Sequence, residues 1–271
     1  MTHAQFIKER QYLFNVSPAT IEWYEQSLRW LGVEAPTPDD LKSFVFRMRE
    51  KGLKPTACNN RIRAVNAYLK WAGSQHRASK LKEPQYILPT FTTVQVKLLL
   101  KWKPQNFYQR RLHLLVLILL DTGCRISEAL GLRLSDCDFE NLLLTVNGKG
   151  DKQRKVPFSF ELRRQLFRYT REFCPQPYMT LLGTRDGGRL DRHVMARDVK
   201  FLCVRVGFDP PVRTLHAFRH TFAVNYLRRG GGVFHLQKVL GHSSLEMTRR
   251  YANLMTEDLQ AIHQRVSLLA S

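Results

Sequence analysis

The stretch LLVLILLDTGCRISEALGL, Leu114 to Leu132, joins the longest apolar run of the chain to a polar turn. The apolar part is far shorter than the roughly 20 residues that span a bilayer, so we interpret it as a buried helix. Gly123 favours the end of that helix, and a second helix is predicted to start near Ser127. Arg125 lies in the join, where a guanidinium and the N–H groups of a helix N-terminus both favour a phosphate. The alternative for Arg125 is an ion pair with Glu128, three residues further on.

The chain carries a strong positive charge. Its 271 residues include 43 Lys and Arg against 23 Asp and Glu, which gives a formal net charge of +20. A field of that sign attracts polyanions, so nucleic acid is the leading candidate partner. A ribosome-associated or generally basic protein is the alternative that charge alone leaves open. The length predicts two domains or one large one.

The cysteines and the N-terminal sequence indicate a cytoplasmic protein. Five cysteines, with no two in a CxxC pair, exclude a complete disulfide framework, so we expect free thiols in a reducing compartment. The first ten residues, MTHAQFIKER, have no apolar h-region, so no secretory signal is expected. We therefore predict a cytoplasmic protein with no membrane partner.

Residues 1–84 are predicted to form a small helical domain that binds DNA. Ser17-Pro18 and Thr37-Pro38 are typical helix starts. A third helix over KPTACNNRIRAVNAYLKWAG has an apolar face for the core, and its polar residues are candidates to contact phosphates: Lys54, Asn59, Asn60, Arg61 and Arg63. The polar, basic segment SQHRASKLKEPQYILP that follows is typical of an interdomain linker, so the second domain is placed at 85–271.

The second domain is predicted to be mostly helical around a small antiparallel β-sheet. The segment LLLTVNGKGDKQRKVPF has the turn chemistry of a hairpin between two strands. Lys149, between two glycines at the hairpin tip, is placed to give a proton to a leaving oxygen, or it is a solvated turn lysine. Lys152 and Arg154 in the same hairpin are further candidates to contact DNA.

The segment TLHAFRHTFA places three cationic or titratable side chains on one helix face. Leu215, Phe218 and Phe222 form the predicted buried stripe, and the neighbouring face carries His216, Arg219 and His220. Phosphate contact is one interpretation, and a structural histidine pair is another. A metal site is disfavoured because the HExxH glutamate is absent and Arg219 lies between the two histidines.

The segment LGHSSLEMTRRYAN contains a histidine and, nine residues later, a tyrosine. Ser243 and Glu246 match a capping box, which predicts a helix that starts just after His242. Tyr251 then lies near the end of that helix. It is a candidate nucleophile, and a surface or core tyrosine is the alternative.

Together these segments suit cleavage of a phosphodiester without a metal. Such a reaction needs cations on the non-bridging oxygens, a nucleophile, and an acid for the leaving ribose oxygen. The order Arg125, Lys149, His216-x-x-Arg219, His242, Tyr251 resembles the tyrosine recombinase, or phage integrase, family over residues 88–271. No single motif is specific, but all of them in this order are.

The resemblance implies a role for each of these residues. Arg125 and Arg219 would clamp the scissile phosphate, and His242 would contact it. His216 would assist proton transfer at the nucleophile, and Lys149 would be the general acid. Tyr251 would attack and form a 3′-phosphotyrosine, so neither ATP, metal nor another cofactor is expected.

The resemblance also implies how the protein assembles on DNA. The family works as a tetramer on two duplexes and passes through a Holliday junction. We expect inverted-repeat core sites and a homotetramer, or a heterotetramer with related recombinases, in the nucleoid of a prokaryote. The C-terminal segment MTEDLQAIHQRVSLLA would dock on a neighbour, and the short N-terminal part leaves no room for an arm-binding domain. A type IB topoisomerase and a non-catalytic DNA-binding protein of the same fold are the alternatives.

Overall fold

The structure is a computed structural model of the chain. It describes residues 2–84, 88–148, 153–173, 179–185, 187–242 and 244–252, together with residues 263 and 267. Lys149, Lys152, Cys174, Ser243 and most of the predicted C-terminal helix lie outside the described residues. The chain divides into two compact units, Met1–Tyr86 and Ile87–Ser271, and each is described by itself. The fold class predicted from the sequence, mainly helical with a small antiparallel sheet, is confirmed.

The first unit is a bundle of helices. Its helices are α1 His3–Tyr12, α2 Pro18–Leu31, α3 Pro38–Glu50 and α4 Pro55–Trp71. The predicted starts are confirmed: Ser17 is the N-cap of α2, and Thr37 forms a capping box with Asp40 at α3. Four residues predicted to face inward from α4 are buried in the core, namely Ile62, Val65, Tyr68 and Leu69.

The start of the predicted linker belongs to the first unit. Asn66 exchanges two hydrogen bonds with the backbone of Ala78, both 2.9 Å long, and Ala78 is buried. Asn59 does the same for Leu81: its Nδ2 donates to the Leu81 carbonyl, and its Oδ1 accepts from the Leu81 N–H, each at 2.8 Å. The segment up to Glu83 is therefore packed chain. A polar composition alone did not distinguish it from a linker, because two asparagines supply its hydrogen bonds.

The prediction that Asn59 contacts phosphates is therefore wrong. Its side chain is buried, and its Nδ2 also donates to Glu83 Oε1 at 2.7 Å. With both ends of the amide bonded inside the unit, Asn59 holds the chain together and does not face outward.

The second unit contains the remaining described elements. The helices are α5 Thr93–Lys101, α6 Phe107–Thr122, α7 Ile126–Gly131, α8 Phe160–Phe173, α9 Arg192–Arg205, α10 Thr214–Arg228, α11 Val233–Leu240 and α12 Leu245–Ala252. The strands β1 Cys137–Asp138, β2 Leu143–Asn147 and β3 Gln153–Pro157 form an antiparallel sheet in the order β1-β2-β3. The pairing of β2 with β3 runs from Leu143 opposite Pro157 to Asn147 opposite Gln153, as the hairpin prediction requires.

The predicted buried helix α6 lies at the centre of the second unit. Leu115, Val116, Ile118 and Leu119 are at most 1% exposed and belong to the core that includes Phe218 of α10. No helix among the described residues is both long and apolar enough to cross a membrane. The buried Cys58, Cys124 and Cys203 are free thiols, as predicted.

Gly123 ends α6 with a positive φ of 64°. A Cβ on this residue would lie 2.3 Å from Cδ1 of Phe222, so α10 packs directly on the turn. Both the backbone conformation and the close approach require glycine. This turn brings the chain into α7 and fixes the position of Arg125.

Candidate active site

Arg219 lies in a buried junction between three helices. It projects from α10 with 5% of its surface exposed. Its Nη1 donates to the carbonyl of Gly123 (2.9 Å), and its Nη2 donates to the carbonyl of Leu240 (2.7 Å). These bonds fix the guanidinium between the C-terminal ends of α6 and α11. Because each Nη carries two N–H groups, the fixed guanidinium keeps donor capacity for an anion.

Arg219 and Arg125 repel each other. Burial lowers the pKa of Arg219 to about 10, and the charge of Arg125 acts in the same direction. Arg219 is still a cation at neutral pH. Two cations held close together leave an electrostatic cost that an anion between them relieves. The pair is therefore suited to bind a phosphate.

Arg125 is the N-cap of α7, and it contacts Glu128 as one sequence interpretation predicted. Its backbone N–H donates to Glu128 Oε2 (2.8 Å), and its Nη1 donates to Oε1 (2.9 Å). The side chain of Arg125 is still 36% exposed, whereas that of Glu128 is 4% exposed. The ion pair therefore orients Arg125 and leaves part of its guanidinium accessible, so the two interpretations are compatible.

Arg154 completes this network. The prediction that it contacts DNA is therefore wrong. From β3, its Nη1 and Nη2 donate to the two carboxylate oxygens of Glu128 (3.0 and 2.9 Å). Its Nε donates to the carbonyl of Val239 on α11 (2.8 Å), and its side chain is 14% exposed. Arg154 thus links β3, α7 and α11 inside the unit. Sequence alone placed it on the hairpin surface because backbone acceptors such as Val239 leave no sequence signal.

The Glu128 carboxylate is ionised in this network. Burial alone would raise its pKa, but hydrogen bonds and charges from Arg154 and Arg125 outweigh burial and hold the pKa below its ordinary value. Its four bonds from two arginines satisfy the carboxylate on all sides. Glu128 was considered in the sequence only as a local partner of Arg125, and its role as the centre of the network was missed.

Tyr251 on α12 is buried, with 4% of its surface exposed. Its hydroxyl lies 2.9 Å from Nδ1 of His220 on α10. His216, one turn earlier on α10, is exposed, and its ring stacks with that of His220 at a centroid distance of 6.4 Å. His220 was noticed in the sequence as facing the same way as His216, but it was not counted among the site residues. The i,i+4 spacing on one helix face was the signal for it.

His242 packs on the other side of the site. Its ring lies nearly parallel to that of Tyr251, with an interplanar angle of 10° and centroids 6.2 Å apart. Its Nδ1 is 2.9 Å from Oγ1 of Thr248, which is fully buried. Thr248 was not predicted, although its position three residues before Tyr251 places both on one face of α12.

The three histidines are held neutral. Burial, together with the smaller effects of His216, Arg219 and Arg213, lowers the pKa of His220 to about 4. Burial also lowers the pKa of His242 to about 4, helped first by Arg219. The pKa of His216 is also lowered, first because part of its ring is shielded from solvent although the residue as a whole is exposed, and then by the charges of Arg213, Arg219 and Arg125. At neutral pH each ring therefore offers one donor and one acceptor nitrogen.

Lys149 and Lys152 lie outside the described residues. On the first unit, Lys54 and Arg63 are exposed on or beside α4, as a DNA contact requires. Arg61 is half-buried: its Nη1 donates to the carbonyl of Ala57 (3.2 Å), and its guanidinium lies over the ring of Trp30 (5.6 Å). Among the described residues, no group of three or more His, Cys, Asp or Glu lies together as metal ligands would.

Known proteins have similar sequences and a similar fold. Residues 89–258, more than half of the chain, match the phage integrase family. The chain belongs to the phage integrase family. It is similar to the tyrosine recombinase XerA of Pyrococcus furiosus, with 32% identity over 241 residues that cover 87% of this chain and 82% of that protein.

Two solved structures have a similar fold. The first is the Tn1549 transposon integrase in complex with transposon right-end DNA, with a TM-score of 0.78 and 24% identity over 98% of this chain and 100% of the other. The second is the site-specific recombinase XerH bound to palindromic difH substrate, with a TM-score of 0.72 and 21% identity over 99% of this chain and 84% of the other.

This phage integrase family member is a tyrosine-type site-specific DNA recombinase. The order of the motifs predicted both the family and the enzyme class, and both predictions are confirmed. A type IB topoisomerase and a non-catalytic architectural protein, the alternatives left open by the sequence, are not favoured by these similarities.

Proposed function

We propose that this recombinase cleaves DNA with Tyr251 as the nucleophile and forms a 3′-phosphotyrosine. The observation that carries the proposal is the position of the Tyr251 hydroxyl, 2.9 Å from His220 Nδ1 and on a ring that packs against His242. A tyrosine with two neutral imidazoles at hand can lose its proton as it attacks. The energy of the broken phosphodiester is kept in the covalent link, so strand rejoining needs neither ATP nor a metal.

Arg125 and Arg219 are proposed to hold the scissile phosphate. Both are cations, Arg219 is fixed by two backbone carbonyls, and Arg125 is oriented by Glu128. Pre-oriented donors of this kind stabilise the charge that develops on the non-bridging oxygens without reorganisation during the reaction. His242, hydrogen-bonded to Thr248, is proposed to donate to the same phosphate, and His216 to assist proton transfer near the nucleophile.

Lys149 is proposed as the general acid for the leaving 5′ oxygen. It lies in the connection between β2 and β3, and β3 is anchored to the site through Arg154. A lysine carried on a short anchored hairpin can reach the leaving group on the side opposite the nucleophile. This assignment comes from the family resemblance and from the position of Lys149 in the sequence.

Double-stranded DNA with inverted-repeat core sites is the proposed substrate, bound by both units. The net charge of +20 supports a polyanionic partner, and Lys54, Arg63 and the half-buried Arg61 give the first unit basic groups for phosphate contact. The similar transposon integrase and XerH were both solved with DNA. Lys152 remains a candidate contact in the second unit.

We further propose that four protomers join two duplexes and exchange strands in pairs through a Holliday junction, in the cytoplasm and on the nucleoid of a prokaryote. The assembly would be a homotetramer or a heterotetramer with a related recombinase, as the resemblance to the tyrosine recombinase family implies. The task would be integration, excision or resolution of a mobile element or replicon.

Junction formation tests this proposed function. Two labelled duplexes of different length that carry a binding site selected from random-sequence DNA are incubated with the protein. The proposal predicts four-armed species that contain both labels on a native gel. Relaxation of a supercoiled plasmid that carries the site, with no two-label species, would assign the protein to topoisomerases. If the DNA is retarded on the gel but no strand is broken, the protein binds DNA without being an enzyme.

A further inference from the structure

We propose that His220 is the base that takes the proton from Tyr251 during cleavage and returns it during rejoining. The inference rests on the proposed function, because it assumes that Tyr251 attacks the phosphate. It assigns a catalytic role to a residue that the family resemblance left unassigned. The direct proton transfer is made by His220, and His216, one turn earlier on α10, keeps only the assisting role.

His220 lies within hydrogen-bonding distance of the atom that would attack the phosphate, the Tyr251 hydroxyl oxygen. Its Nδ1 lies 2.9 Å from the Tyr251 hydroxyl oxygen, within the range from which a base takes a proton directly. For the phenol to donate, Nδ1 carries no hydrogen and the ring proton is on Nε2. The two residues belong to different helices, α10 and α12, so the bond is a tertiary contact and not a consequence of helix spacing.

The other two histidines are less well placed for this step. The Nδ1 of His242 is hydrogen-bonded to Thr248, and the ring lies parallel to the phenol ring and not edge-on to its hydroxyl. His216 is exposed and stacks on His220. The contact from α10 to the nucleophile is therefore made by His220.

The charges around His220 make it a base whose strength depends on the substrate. The groups that face it are His216 and Arg219 on α10, Arg213 just before α10, Tyr251 on α12, and His242. Burial and this positive surrounding keep the ring neutral, so it is ready to accept a proton. A phosphate bound at the arginines cancels much of their repulsion and stabilises the imidazolium. His220 thus gains basicity when the scissile phosphate is in place.

The proton and electron balance is complete with His220 alone on the nucleophile side. As the bond between the Tyr251 oxygen and phosphorus forms, the phenol O–H bond breaks and its proton moves to Nδ1 of His220. The bond from phosphorus to the 5′ oxygen breaks, and that oxygen takes a proton from the acid on the opposite side. In rejoining, the imidazolium returns its proton to the departing phenolate oxygen.

A sulfur-substituted substrate tests the assignment. Single-turnover rate constants are measured with saturating enzyme, so that they do not depend on the active fraction, on a nicked duplex of a selected site. A second duplex has sulfur in place of the bridging 5′ oxygen. A thiolate leaves without an acid, so this substrate restores variants that lack the acid but not variants that lack the base. The variants are His220→Asn, which keeps an acceptor near the Nδ1 position, His220→Gln, His216→Asn and Lys149→Ala.

The inference predicts that His220→Asn and His220→Gln lower the rate constant by roughly 10²- to 10⁴-fold on both substrates. Lys149→Ala should cleave the oxygen substrate slowly and regain its rate constant on the sulfur substrate. The rate constant of His216→Asn should fall less than that of His220→Asn. Each variant should bind the DNA as the wild type does in a gel shift. Unchanged binding separates a chemical defect from misfolding.

Three results would overturn the inference. His220→Asn could cleave within about threefold of the wild type, it could recover on the sulfur substrate, or His216→Asn could be the more defective of the two. Failure of the proposed function is distinguishable from these. In that case the wild type itself forms no covalent complex, or Tyr251→Phe forms one as readily as the wild type.

Discussion

Glu128 on α7 and Arg154 on β3 form a bidentate ion pair, with Nη1–Oε1 and Nη2–Oε2 distances of 3.0 and 2.9 Å. Both side chains are largely buried, at 4% and 14% exposure. The same carboxylate orients Arg125, and the same guanidinium holds the end of α11 through Val239. One pair thus joins the segments that carry Arg125 and His242 to the hairpin that carries Lys149.

Arg154→Gln should destabilise the second unit by about 3 kcal/mol, because breaking a buried ion pair leaves an uncompensated carboxylate. The loss should be at the lower end of the usual range since Arg125 still bonds to Glu128. Urea denaturation measures it. Arg164→Gln is the matched control, because Arg164 forms an exposed pair with Glu161 and should change stability by less than about 1 kcal/mol. Equal effects from the two variants would contradict the buried network.

Asn59→Ala should destabilise the first unit by roughly 1–3 kcal/mol. The variant leaves the partly buried N–H and C=O groups of Leu81 without their partners, and such groups carry a desolvation cost. Its neighbour Asn60 is exposed, so Asn60→Ala should be within about 0.5 kcal/mol of the wild type. Limited proteolysis at the basic residues near Leu81 checks the mechanism, because cleavage there should accelerate in Asn59→Ala only.

Lys54→Ala and Arg63→Ala should each weaken DNA binding and make it less dependent on salt. Each phosphate contact that is lost reduces the slope of log affinity against log salt by about 0.9. Fluorescence anisotropy between about 50 and 200 mM salt, with a labelled duplex, gives the slopes. Arg164→Ala, at an exposed position of α8, serves as the charge-matched control. An unchanged slope in both variants would remove α4 from the DNA interface.

Stability should fall as the pH is lowered below about 6.5, in part because of His242. The pKa of this residue is lowered to about 4 in the folded protein, chiefly by burial. Between that value and the ordinary histidine pKa near 6.5, the unfolded chain binds more protons, so protonation favours unfolding. The decrease in Tm between about pH 7.5 and pH 4.5 should therefore be smaller for His242→Asn than for the wild type. Differential scanning fluorimetry measures both values.

The change at the exposed His193 is the control for that experiment: His193→Asn should follow the wild-type curve. Carboxylates that titrate near pH 4 affect all three proteins alike, so the difference between the curves is the quantity to compare. A His242→Asn curve that is as steep as that of the wild type would contradict a neutral, buried His242.

Much of the fold could be predicted because its signals are local. Proline after Ser or Thr marked the starts of α2 and α3, and the apolar run marked α6. Turn residues rich in glycine, between two strand-like segments, marked the β2–β3 hairpin. Each of these signals depends on residues a few positions apart, where backbone preference and burial act together.

The network of the site could not be predicted to the same depth, because it depends on contacts between distant segments. Arg154 and Asn59 carry surface-like side chains, and only tertiary structure reveals that their partners are Glu128, Val239 and Leu81. The bond between His220 and Tyr251 joins residues 31 positions apart. Spacing on one helix gave the face on which His220 lies, but not which histidine reaches the tyrosine.

The covalent complex between the protein and DNA shows whether Tyr251 is the nucleophile. A nicked duplex of a selected site, labelled at the 5′ end of the strand to be cleaved, traps the intermediate because the short 3′ fragment diffuses away. On a denaturing gel, we expect a labelled band that runs above the 31.7 kDa protein and is absent with Tyr251→Phe. A band that persists in Tyr251→Phe, or one that forms only with a 3′ label, would contradict attack by Tyr251 to give a 3′-phosphotyrosine.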